Sequence, residues 1–249
     1  MPDKRLSPTY YNKMMFAKQY LKGSNVLLDV GCGEGGYFYM YKELGIKYTG
    51  IDPDASVLRR HEPVKIASAE DIPFRSSSFD TVVCMDVLEH AKDPDDAMSE
   101  IRRVLMPGGK LIISVANARY PASYDLLNAI LRPFGRHMRI GYWAWGHRRL
   151  YLREDFRNLL QSNGFCIEHM EEYTHGFVTA FMSYLPYFSV HVAAPVIKKF
   201  GMKNSGIDVS GKPLEHGMFF RLLNTLNIVD KKYFGRTHGL TICALARKR

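Results

Sequence analysis

With 249 residues, 46% of them hydrophobic, the chain is long enough to enclose one large α/β core, and no fixed-period repeat, low-complexity tract or Pro/Ser-rich linker divides it in two. Four cysteines without C-x-x-C spacing argue against a disulfide framework or a zinc site, and the polar start Met1-Pro2-Asp3-Lys4-Arg5 has no apolar signal core, so a reducing, cytoplasmic setting and no metal are expected. The net charge of +9 is uneven: residues 1–118 hold 15 Lys/Arg against 16 Asp/Glu, whereas 119–150 hold 6 against 1 and 174–236 hold 8 against 3, which fits either an anionic acceptor or lipid surface near the later segments or ordinary solvated arginines.

Thr9–Leu21 reads as an amphipathic helix with Tyr10, Met14, Ala17 and Leu21 on one side. Val26–Val30 is a short run of buried-strand type, and it leads into Gly31-Cys32-Gly33-Glu34-Gly35-Gly36. Glycines there let the backbone turn sharply and approach a ligand closely. Phe38, Tyr41 and Leu44 then recur at helical spacing, so the free N–H groups of a following helix would point at whatever the loop holds. Gly31, Gly33 and Gly36 satisfy G-x-G-x-x-G, and Asp52 lies near the spacing expected of a dinucleotide site. Asp29 discriminates: a carboxylate beside the loop would repel a pyrophosphate but suit the ammonium and sulfonium of S-adenosylmethionine.

Asp29-Val-Gly31-Cys-Gly33-Glu-Gly35 resembles motif I of class I S-adenosylmethionine-dependent methyltransferases. Further landmarks follow in the same order: Gly50-Ile51-Asp52, Ser68-Ala-Glu70-Asp71-Ile-Pro73-Phe74, Ser78-Phe79-Asp80, Val87-Leu-Glu89-His90 and Arg103-Val-Leu-Met-Pro107-Gly108-Gly109. The pattern resembles the small-molecule branch that includes quinone-biosynthesis enzymes. It implies a Rossmann-like, doubly wound seven-stranded α/β sheet whose last strand is antiparallel. It also implies S-adenosyl-L-methionine as cofactor, S-adenosyl-L-homocysteine as product, and cofactor contacts from Asp29, Gly31, Cys32, Gly33, Gly35, Asp52, Pro53, Ser68, Ala69, Glu70, Met85 and Asp86. Asp52 would accept from both ribose hydroxyls, and the Ser68–Phe74 segment would lie against the adenine. Many relatives carry an aspartate where Ser68 stands, so Ser68, Glu70 and Asp71 remain alternatives for the exocyclic amine. The first helix would close over the cofactor and bring Tyr10 or Tyr11 to it; packing against the sheet is the alternative.

Strands are further expected at Tyr48–Ile51, Val64–Ala67, Thr81–Met85 and Lys110–Val115, with helices near Ala55–Arg60 and after Asp93-Pro94. No N/D-P-P-Y/F element follows the fourth strand and Pro-Cys occurs nowhere, which weighs against two nucleic-acid-methylating classes and leaves O-, N- or C-methylation of a small acceptor open. Residues 119–150 interleave Arg132, Arg136, Arg139, Arg148 and Arg149 with Phe134, Tyr142, Trp143 and Trp145, a mix suited to gripping phosphate, sugar or headgroup, or to a folded lid. His147 is the first general-base candidate, His90 the second and Tyr151 the third.

Tyr173–Ile197 contains no Asp, Glu, Lys or Arg. Its prolines and histidines leave a helical cap, an interfacial membrane-binding helix pair and a true span all open, with peripheral contact through 174–200. A helix at Phe219–Val229 and a last strand at Gly239–Ala246 follow. Residues 1–24 would thus precede a cofactor-binding core at 25–118, with an insertion or lid at 119–150 and a helical cap at 174–236. The expected chemistry is methyl transfer to a small or amphiphilic acceptor such as a lipid-linked saccharide, prenyl compound or quinone precursor, most simply at oxygen. An RNA methyltransferase, a non-catalytic cofactor-binding module and an NAD oxidoreductase are the competing readings.

Overall fold

The computed structural model describes residues 8–33, 35–56, 63–118, 147–174, 224–226, 228–229, 231–233 and 239–249. Over these residues the elements are α1 (Pro8–Tyr20), β1 (Val26–Val30), α2 (Phe38–Glu43), β2 (Lys47–Asp52), β3 (Val64–Ile66), β4 (Phe79–Met85), α3 (Pro94–Val104), β5 (Leu105–Ala116), α4 (Arg153–Ser162), β6 (Phe165–Tyr173) and β7 (Thr241–Lys248). They build one seven-stranded sheet in the order β3-β2-β1-β4-β5-β7-β6. Strands β3 through β5 pair in parallel and β7 runs antiparallel to both its neighbours, as the resemblance implies.

Each central strand alternates its side chains between two cores, which is why its sequence is apolar throughout rather than polar at every second place. Leu28, Val82, Ile113 and Ala244 pack with Met98 and Ile101 of α3 and Phe156 and Leu160 of α4. Their neighbours Leu27, Val83, Ile112 and Leu245 turn to the other face, against Met14, Phe16 and Ala17 of α1 and Met40 and Tyr41 of α2. Helix α3 begins where Asp93 accepts from the Asp95 and Asp96 amides at 2.9 and 3.3 Å, with Pro94 in the first turn.

The structure departs from the expected elements in three places. Helix α2 has only six residues, and Leu44, expected on its apolar stripe, is exposed beyond its end. Helix α1 buries Lys13 beside its apolar residues. Pro107-Gly108-Gly109, expected to end α3 and precede a strand, instead lies inside β5, which starts directly after the helix; the register passes from the Phe79–Leu105 pair to Thr81–Lys110, so Met106–Gly109 form an outward bulge. Thr174 and Leu240 meet beside the sheet, the Leu240 amide donating to the Thr174 carbonyl at 2.9 Å.

The residues 119–146, with Arg132, Arg136, Arg139, Trp143 and Trp145, lie outside the described residues, as do the apolar run from residue 175 onward, most of the expected helices at Ala55–Arg60 and Phe219–Val229, and Glu34. Among the described residues, no helix is long and apolar enough to cross a membrane.

Candidate cofactor and acceptor site

The glycine loop leaves β1 at the carboxyl edge of the sheet, where open parallel sheets take their ligands. Gly31 and Cys32 donate their amides to the Ile51 carbonyl at 2.8 and 3.0 Å, and the Gly33 amide donates to Asp52 Oδ2 at 2.8 Å. The other oxygen of Asp52 accepts from the Asp54 amide at 2.9 Å. Asp52 thus ties the loop to β2 while each of its oxygens keeps a second acceptor position. Gly31 and Gly33 both adopt positive φ, and open space lies where a side chain at Gly33 would project. The Tyr10 ring stacks on Tyr37, with centroids 4.9 Å apart, and stands so close to Gly36 that a Cβ there would come within 2.8 Å of Tyr10 Cζ. Helix α1 therefore rests on the loop through Tyr10 and packs against the sheet through Met14, Phe16 and Ala17. Pro53 is exposed just beyond Asp52.

Beneath the loop Asp29 is buried and accepts from the Tyr41 hydroxyl at 3.1 Å. Burial pushes its carboxyl up to about 7, against the opposing Tyr41 hydrogen bond. Cys32 sends its thiol inward, toward Tyr48 and Gly50, where burial and then Asp29 push it up to about 12. It gives the loop its backbone only. In the segment assigned to adenine, Ala69 is buried, and Glu70 accepts from the Lys92 amide at 2.8 Å; burial raises the Glu70 carboxyl, but that bond and others bring it below its usual value. Ser68 bonds to Glu70, and Asp71 is exposed.

At the end of β4, Met85 is buried and Asp86 adopts φ +55, a strained conformation for a residue with a side chain. Its oxygens accept from Ser114 Oγ at 2.7 Å and from the Lys13 ammonium. Burial alone would raise the Asp86 carboxyl, but Lys13 and Ser114 hold it below the usual range; burial opposes charge on Lys13, and Asp86 outweighs it. Glu89, three residues on, is buried, and one of its oxygens accepts from the Ala116 amide at 3.2 Å while the other has no hydrogen-bond partner among the described residues. Burial and then Asp86 push it up to about 8.

The three base candidates meet at this turn. The Glu89 carbonyl accepts from the Arg148 amide at 2.7 Å, and Arg149 Nη2 donates to the Lys92 carbonyl at 2.9 Å. These bonds set the His147 ring against His90, with centroids 4.9 Å apart. Burial and then His90 lower His147 to about 4, so it is a neutral imidazole across the physiological range. Tyr151 is buried and donates to the Leu88 carbonyl at 3.2 Å, which gives it a packing role beneath the turn.

Sequence reasoning named neither Lys13 nor Ser114, and quoted Glu89 only as part of a motif. Lys13 carried no distinguishing signal, since Lys18 flanks the Tyr10, Met14, Ala17 stripe as closely. Among the described residues no group of three His, Cys, Asp or Glu side chains could hold a metal.

Asp29 and Glu89 make stability pH-dependent. Unfolded carboxyls have lost their protons by pH 6.5, whereas the folded chain still holds protons on these two. The unfolded state therefore binds fewer protons, and stability falls as pH rises through about 7 and 8. His147 opposes this fall only weakly, because its unfolded imidazole, with a pKa of about 6.5, still loses part of a proton at the low end of the window while the folded one is already neutral. Urea denaturation should show a loss of about 2 kcal/mol between pH 6.5 and 8.5, reduced in Glu89→Gln. A flat profile would contradict the buried, protonated carboxyls.

Residues 28–113 match a family model described as a methyltransferase domain. The ubiquinone biosynthesis O-methyltransferase of Xanthomonas oryzae pv. oryzae is 39% identical over 121 residues, covering 44% of this chain and 50% of that protein. A tRNA U34 carboxymethyltransferase of Nautilia profundicola is 35% identical over 98 residues, covering 35% of this chain and 33% of that protein. The chain thus spans at most about half the length of these curated relatives. Among solved structures, the [4+2]-cyclase SpnF superposes with a TM-score of 0.62 at 22% identity, over 99% of this chain and 84% of that one. An S-adenosylmethionine-dependent methyltransferase from Archaeoglobus fulgidus superposes with 0.58 at 18% identity, over 99% and 95%. These likenesses show the fold.

Proposed function

We propose that this chain, whose residues 28–113 match a family model described as a methyltransferase domain, is a class I methyltransferase that transfers a methyl group from S-adenosylmethionine to the oxygen of a small or amphiphilic acceptor. The observation that carries the reading is the glycine loop pinned to Asp52 over the buried acid Asp29. Asp29, whose buried carboxyl loses its proton at about 7 and is drawn to the charged form by a neighbouring cation, favours a cationic ligand and opposes a pyrophosphate, which counts against the NAD reading. Asp52 would offer its free acceptor positions to the ribose hydroxyls, and the Ala69 backbone with Ser68 would meet the adenine edge. S-adenosylmethionine supplies an electrophilic methyl carbon on a good leaving group.

The glycine loop, Asp52 and the 68–74 segment would hold the cofactor so that its methyl passes to the acceptor oxygen, with sulfur keeping the bonding electron pair and S-adenosylhomocysteine leaving. The acceptor's proton passes to neutral His147, with His90 beside it. The low basicity of His147 limits its share of the catalysis, so alignment of acceptor and methyl carbon carries most of it. An anionic group on the acceptor would meet the basic segments, with peripheral membrane contact through 174–200.

Asp52→Ala should weaken S-adenosylhomocysteine binding at least about tenfold by calorimetry, since it removes the ribose acceptor and the Gly33 tether together. Unchanged affinity would remove Asp52 from the site. The acceptor is tested by label transfer from methyl-labelled cofactor to a phenolic quinone precursor, an anionic prenyl lipid and transfer RNA. The RNA arm is included because one relative is a transfer-RNA enzyme; label in RNA alone would replace the small-acceptor reading. No transfer to anything, with cofactor still bound, would favour a non-methylating role, and the likeness to a cyclase shows that this fold does not dictate one reaction.

A further inference from the structure

Segment 68–74 contains no helix or strand, yet it is held at both ends by α3 and its N-terminal approach. Glu100 and Arg103 stand one turn apart on α3 and form a bidentate pair, with Nε to Oε1 and Nη2 to Oε2 both at 2.7 Å. That pair grips the segment's backbone. Ile72 donates its amide to Glu100 Oε2 at 2.9 Å and accepts from Arg103 Nη2 at 2.8 Å, and the Phe74 carbonyl accepts from Arg103 Nη1 at 2.7 Å. At the other end Glu70 is fixed by the Lys92 amide. Ile72 is itself buried, so its backbone groups have no water to fall back on.

We propose that Glu100 and Arg103 are positioning residues that set the cofactor's nucleobase specificity, by fixing the backbone register of the segment that reads adenine. The inference rests on the assignment of 68–74 to adenine. Hydrogen-bond reading of a base edge requires donors and acceptors held to a few tenths of an ångström, and a segment without regular structure has no ladder of its own to supply that. A guanidinium binding the Ile72 and Phe74 carbonyls while its partner carboxylate binds the Ile72 amide does so from one rigid helix face. Lysine, a point charge without the fork, cannot repeat it.

The test is calorimetry with S-adenosylhomocysteine and with S-inosylhomocysteine, in which a carbonyl oxygen replaces the exocyclic amine of adenine. The wild type should prefer the adenine ligand, and Arg103→Lys should reduce that preference by about tenfold. Glu100→Gln keeps the side-chain shape and carries the same test if Arg103→Lys does not fold. A merely structural clamp would weaken both ligands alike and lower Tm, so an unchanged ratio in the folded variants overturns the inference. Equal wild-type affinity for the two ligands overturns it as well. Failure of the wild type to bind either ligand instead overturns the cofactor reading on which it rests.

Discussion

Gly31→Ala should abolish measurable cofactor binding and destabilise the chain by about 2–5 kcal/mol. Gly31 adopts φ +68, where a side chain costs about 1–2 kcal/mol. The added Cβ would also overlap Val87 Cγ2, and Val87 is β-branched, so its methyl cannot swing away without leaving its rotamer. Relief must come from the backbone. The Gly31 and Cys32 amides would pull off the Ile51 carbonyl and the Gly33 amide off Asp52, breaking the loop where the cofactor is proposed to lie. Urea denaturation and calorimetry on one preparation read both effects. Wild-type stability together with wild-type affinity would show that the loop tolerates what its geometry forbids.

Lys13→Met should cost about 2 kcal/mol at pH 8 and much less near pH 5. Methionine keeps the stem packed under α1 but leaves the Asp86 carboxylate without its cation. The estimate lies below that for a fully buried pair because the Asp86 side chain is 33% exposed. The sign follows from Asp86. In the wild type its folded carboxyl sits below the unfolded value, so its contribution is present above the usual carboxylate range and is lost as pH falls. Without Lys13, burial dominates and the folded value rises above the unfolded one, so stability is lost as pH rises. The deficit of the variant therefore grows with pH, and the double variant Lys13→Met, Asp86→Asn recovers most of it. A deficit independent of pH would mean that the ammonium matters only for packing.

What the sequence discloses and what it conceals divide by the range of the interactions involved. Val26–Val30, the glycine loop and the Asp93-Pro94 start of α3 are legible because apolar runs, glycine punctuation and caps act within a few residues. The antiparallel last strand is legible only through the resemblance, since Thr241–Lys248 carries no mark of its direction. Lys13 and Asp86 are 73 residues apart, and the Asn117 side-chain amide, which donates to Glu172 at 2.9 Å and to the Gly239 carbonyl at 2.8 Å, is tied across spans of 55 and 122 residues. No periodicity predicts such pairs. The side-chain direction of Cys32 is equally hidden: its place in the motif does not disclose that its thiol turns under the loop toward Tyr48. Leu44 was assigned to an apolar stripe that a six-residue helix is too short to extend.

The measurement that bears most directly on the central claim is calorimetric titration of the wild-type chain with S-adenosylhomocysteine and, separately, with NADH. The buried acid beneath the glycine loop predicts saturable micromolar binding of the first and none of the second. Tight NADH binding without S-adenosylhomocysteine binding would mean that Asp29 does not select against a pyrophosphate, and that the loop belongs to a dinucleotide enzyme.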